Sequence, residues 1–156
     1  MTDYTHYKML IDGQWVPASD GAKFNSLNPT TGKVWATVPE ATAEDVDRAV
    51  CAADRAFNQG PWPAMSASER GHCLRRLAML LAERSDELGT IETTDTGKML
   101  KETRWQAKYI SEFFHFFAGC ADKIHGETLP IDKPDLFVFT NREPLGAIAA
   151  VVPWHS

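Results

Sequence analysis

Near its start the chain places short apolar runs on either side of turn residues, the pattern of strands joined as hairpins. Met9-Leu-Ile11 and Gln14-Trp-Val16 flank Asp12-Gly13. That dipeptide tolerates the positive φ angles of a type I′ turn, so the segment predicts a β-hairpin. Phe24 to Leu27 and Val34 to Val38 predict a second pair around the turn Asn28-Pro-Thr-Thr-Gly32. Both hairpins carry one apolar face and are expected to lie over something larger. Residues 1 to 7 are polar and predicted to be loose.

From Thr42 onward the period lengthens to that of a helix. Thr42 and Asp45 form a capping-box pair ahead of the stripe Val46, Val50, Ala53 and Phe57. Gly60-Pro61-Trp62-Pro63 is expected to break this first helix. Ser66 and Glu69 make a second capping box, followed by Leu74, Leu77, Ala78 and Leu81 at helical spacing. Ser85 restarts a third helix, which carries Leu88 and Ile91 and ends at Gly97. A fourth runs from about Leu100 to Asp122, with Trp105, Tyr109, Phe113 and Phe117 at steps of four. Ile110, Phe114 and Phe116 widen that stripe, so the helix is predicted to pack against more than one neighbour. Its rings read as core rather than as a cofactor box. His115 falls on the polar side.

A Pro-punctuated linker, Thr128 to Pro134, leads to a predicted strand from Asp135 to Thr140. Asn141 to Pro144 then turns the chain into the unbroken apolar run Ala147 to Val152, bounded by Gly146 and Pro153. Such a run reads as a strand buried on both faces in the middle of a parallel sheet. In sheets of that kind the ligand site lies just past the carboxyl end of the strand. Here that position is Pro153, Trp154, His155 and Ser156. No internal repeat or low-complexity segment is present.

Length and charge narrow the class. The chain of 156 residues has the size of one domain. Its net charge of −5 argues against nucleic acid or an anionic membrane as partner. The N-terminal residues lack the apolar run of a signal peptide. The longest apolar stretch, Leu145 to Trp154, falls far short of the ~20 residues that span a bilayer. Three cysteines without a Cys-x-x-Cys pair suggest reduced thiols and a cytoplasmic location.

Site chemistry is sparse. The histidines are scattered, so no metal site is expected. Thr94-Asp-Thr-Gly-Lys98 ends like a phosphate loop, but that motif needs Gly where the chain has Glu92. The segment reads instead as a helix end closed by Gly97, with Lys98 near the negative pole of the helix dipole. Cys51, Cys73 and Cys120 lie on predicted helices without a local base, which argues for inert thiols.

Several pieces together resemble the N-terminal part of the NAD(P)-dependent aldehyde dehydrogenase superfamily. They are Leu10-Ile-Asp-Gly-Gln-Trp-Val16, Asn28-Pro-Thr-Thr-Gly32, Ala56-Phe57 before Trp62, Glu69-Arg70, Thr93-Thr-Asp-Thr-Gly-Lys98, and Arg142-Glu-Pro-Leu-Gly146 leading to Val151-Val-Pro-Trp154. Their order and spacing carry the likeness from about Met9 to Trp154. The implied fold is α/β: N-terminal β-hairpins and four helices leading into the first strand of an incomplete Rossmann-like NAD-binding domain. Residues 127–144 resemble part of a β oligomerisation arm, and residues 1–156 the N-terminal portion of that domain, without the catalytic domain.

The resemblance implies NAD or NADP as cofactor, with Val151, Val152, Pro153 and Trp154 lining the nicotinamide end of the cleft. It implies chemistry in which a Cys thiolate attacks an aldehyde, hydride passes to the nicotinamide and the thioester is hydrolysed. Leu27, through its carbonyl, and Asp95 match positions that hold a monovalent cation in some members, although a capping or surface role for Asp95 is an equal alternative. His155 stands where the family has the Asn of its oxyanion hole. No catalytic residue of the family carries over onto these residues. An aldehyde substrate is therefore expected only in a full-length context. Two readings follow: a fragment of an aldehyde-oxidising enzyme, inactive alone, or a non-catalytic module that docks on a full-length relative. Either allows association with itself or with such a relative. The rings of the fourth helix and the run Ala147 to Val152 are the surfaces such a fragment is expected to leave uncovered.

Overall fold

The computed structural model describes residues 4–153. The expectations for Trp154, His155 and Ser156 lie outside the described residues. Three small sheets and four long helices account for most of the described residues. Strands β1 (Thr5–His6), β4 (Lys23–Asn28) and β5 (Lys33–Pro39) form a sheet in the order β1-β5-β4. β1 pairs parallel to β5, so residues expected to be loose are in part a strand. The His6 ring and the Thr37 hydroxyl lie 2.6 Å apart across that pair. β2 (Met9–Ile11) and β3 (Gln14–Val16) are the first hairpin, with Asp12 at φ 53° and Gly13 at φ 74° as a type I′ turn requires.

The β4–β5 register is broken once. Ser26 pairs with Ala36 and Leu27 with Val34, so Trp35 falls between the two pairs as a β-bulge. A bulge re-aims a side chain. The Trp35 indole donates to the Ser26 hydroxyl at 2.9 Å and to Asp95 at 3.2 Å.

Helices α1 (Ala43–Gln59), α3 (Ala67–Glu83), α4 (Ser85–Thr96) and α5 (Leu100–Cys120) follow. Both capping boxes form, Thr42 with Asp45 and Ser66 with Glu69. The Pro-rich stretch does not simply break α1. It makes a single helical turn, α2 (Pro61–Ala64), because proline at the first helical position forgoes only an amide that has no partner there. Gly97 ends α4 in the left-handed region, its amide bonded to the Thr93 carbonyl at 2.9 Å.

The helices pack on their small residues. On α5 the buried positions are Thr103, Ala107, Ser111 and Ala118. They face Gly71 and Ala78 of α3 and Gly89 of α4. A methyl group added at Gly89 would lie 2.7 Å from the Arg104 backbone, and one at Gly71 would lie 2.8 Å from the Ala118 carbonyl oxygen. Thr103, fully buried, donates to the Gly89 carbonyl at 2.9 Å and lies 2.8 Å from the Thr93 hydroxyl.

Two expectations about the core fail as a result. Trp105, Tyr109, Phe113, Phe116 and Phe117 are exposed, because the close approach of α3 and α4 is made by the small face of α5 and leaves the ring face outward; the reading of these rings as core fails, and the expectation that they stay uncovered is met. Phe114 alone of the phenylalanines on α5 is half-buried. On α1, Val46 and Val50 are also exposed, and Asp45 and Ala52 are the buried positions. The accessible surface, 12224 Å², exceeds the ~7,800 Å² expected of a compact monomer of this mass.

The third departure concerns residues 147–152. They form no strand and are exposed, Val151 to 97%. A strand covered on both faces needs flanking strands and layers, and no described residue pairs with this run. The expected strand after the linker is short: β7 (Val138–Phe139) pairs antiparallel with β6 (Thr128–Leu129).

Candidate functional site

Segments distant in the sequence meet at a groove of about 850 Å³, within the usual size range of small-molecule sites. Its walls are the end of α1, the α2 turn, the start of α3, the residues after α5 and the segment from Arg142. Phe57, Trp62, Ile124 and Leu145 supply its apolar surface, and Arg70 and Arg142 its positive charge. Arg70 is held in place by a 2.5 Å bond from its guanidinium to the Met65 carbonyl. Glu69, next to it, closes the α3 capping box. The Ser66 amide and then the Ser66 hydroxyl donate to its carboxylate and hold its pKa below the usual value. Asp122 at the groove edge is likewise lowered, by the hydrogen bond and charge of Lys123.

The segment from Arg142 lines this groove as far as Ile148 and bends within it at Gly146. Gly146 has φ 112°, a backbone open to glycine and strained for other residues. Phe57 lies 3.9 Å from where its Cβ would stand. Beyond it, Val151, Val152 and Pro153 run out exposed. No described wall faces them. The groove itself was not singled out from the sequence. Its signal was present in Ala56-Phe57, Trp62, Glu69-Arg70 and Arg142 to Gly146, motif pieces whose convergence is a property of the fold.

A second convergence ties the β4–β5 hairpin to α4. Pro29, in the hairpin turn, packs so closely on Gly97 that an added Cβ there would be 2.9 Å from its ring. Asp95 accepts from both the Ser26 hydroxyl and the Trp35 indole. Its carboxylate thus cross-links helix and hairpin. Lys98 pairs with Glu92 at 2.8 Å across the same helix end.

The cysteines stand apart from both places. Cys51 and Cys73 are exposed and Cys120 is half-buried. Cys51 lines a shallow pocket beside Arg48 and Arg55, next to the tip of the first hairpin. No group of three or more His, Cys, Asp or Glu occurs among the described residues in a metal-binding arrangement. No helix among them is long and apolar enough to cross a membrane.

Comparison with known proteins gives the arrangement a class. The aldehyde dehydrogenase family model matches residues 15–156. A (Z)-2-((N-methylformamido)methylene)-5-hydroxybutyrolactone dehydrogenase of Acinetobacter baylyi is 45% identical over 151 residues, covering 96% of this chain and 30% of that protein. The structure of an aldehyde dehydrogenase from Bacillus cereus superposes with a TM-score of 0.85 at 39% identity, covering 90% of this chain and 28% of the other. A betaine aldehyde dehydrogenase from Staphylococcus aureus in complex with NAD+ superposes with a TM-score of 0.77 at 39% identity, covering 82% and 26%. The chain belongs to the aldehyde dehydrogenase family. It spans about 30% of the length of the curated relatives it matches, and its fold corresponds to their N-terminal part.

Proposed function

We propose that these residues are the N-terminal portion of an NAD(P)-dependent aldehyde dehydrogenase that oxidises an aldehyde to a carboxylic acid, and that they do not catalyse this alone. The observation that carries the proposal is the match over residues 15–156 together with a shared fold at 39% identity to an NAD+-bound relative. In the whole enzyme proposed here the cofactor would accept hydride from the aldehyde. Val151, Val152, Pro153 and Trp154 form one wall of its site, with their apolar side chains against the nicotinamide end. The groove at Phe57, Trp62 and Arg142 fixes the entry of this wall, because Gly146 turns the chain there. Residues 127–144, with the short β6–β7 pair, serve as part of an oligomerisation arm. The family's oxyanion donor corresponds to His155.

The second reading, a non-catalytic module docking on a full-length relative, rests on an observation that the first reading also expects: the exposed ring face of α5. An absorbance assay for NAD(P)H with saturating cofactor and a panel of aldehydes tests the first reading. No turnover is expected from the isolated chain. Turnover that persists after host enzymes are removed would overturn it and redirect attention to Cys51, Cys73 and Cys120. Co-purification with a full-length relative, lost when Tyr109 and Phe113 are replaced by serine, would favour the module.

A further inference from the structure

We draw no further inference here: the strongest candidate, the exposed aromatic face of α5 running from Trp105 to Phe117, carries nothing because nothing in the structure shows what covers it.

Discussion

Replacing Gly89 by alanine tests whether close helix approach holds this chain together. In an open helix the change is favourable, since alanine exceeds glycine by about 0.8–1.0 kcal/mol in helix propensity. Gly89 is not open. Its new methyl carbon would stand 2.7 Å from both Cα and N of Arg104, backbone atoms that cannot swing aside. Relieving the contact moves α4 off α5 and lengthens the 2.9 Å bond from Thr103 to the Gly89 carbonyl. Overpacking of this kind costs about 1–3 kcal/mol, so the propensity gain is cancelled or exceeded. Gly119, on α5, is the internal control, because an added Cβ there meets nothing within 4 Å. Gly119→Ala should stabilise by about 1 kcal/mol. Urea unfolding followed by helical circular dichroism on the two variants isolates the contact as the difference between them, about 1–3 kcal/mol. Equal stabilisation in both would refute the reasoning, for it would show that α4 and α5 part without cost.

Other consequences can be checked alongside. Asp45, 1% exposed, accepts at one oxygen from the amides of Ser19 and Thr42 and from both their hydroxyls, and these bonds hold its pKa below the usual carboxylate value. Its contribution is therefore complete at neutral pH and is lost as pH falls through the lowered folded-state value; the acid limb of the unfolding midpoint should flatten in Asp45→Asn, and an unchanged limb would remove Asp45 as its cause. The isolated chain should bind a hydrophobic dye and elute as more than a monomer, given its exposed rings; a sharp monomer peak without dye signal would contradict this. Grafted onto the remainder of a close relative, residues 1–156 with His155→Asn should raise kcat by roughly 10²–10³ over the unmodified graft, the usual worth of one oxyanion donor. Equal kcat values would show that the site tolerates imidazole.

The local signals in the sequence were largely sufficient for local structure. Asp12-Gly13 and Gly97 specify a conformation through their own backbone and the two capping boxes through side-chain bonds to nearby amides, and each is found. Packing was less legible. The alternation that marks a helix face does not say which face meets a neighbour, and on α5 the small residues Thr103, Ala107, Ser111 and Ala118 took the interface that the larger rings were expected to occupy. The run Ala147 to Val152 misled for a related reason: its composition describes a strand surrounded by other strands, and a strand is made by its partners. Asp95 was placed as a candidate cation ligand or cap. Its bonds to Ser26 and Trp35 depend on a bulge at Trp35 that no residue type announces.

The small-residue interface has a calorimetric consequence. Heat capacity changes on unfolding scale with the surface newly hydrated. A chain that keeps 12224 Å² accessible while folded has less to reveal; measured against a compact monomer of equal mass, unfolding exposes about three-quarters as much. The stability curve should therefore be flatter and the thermal transition broader than for other domains of this length. With a smaller unfolding entropy, each kcal/mol gained from a bound partner moves the midpoint further up the temperature axis. For this chain, the position of the melting transition is a sensitive reporter of anything that seals α5.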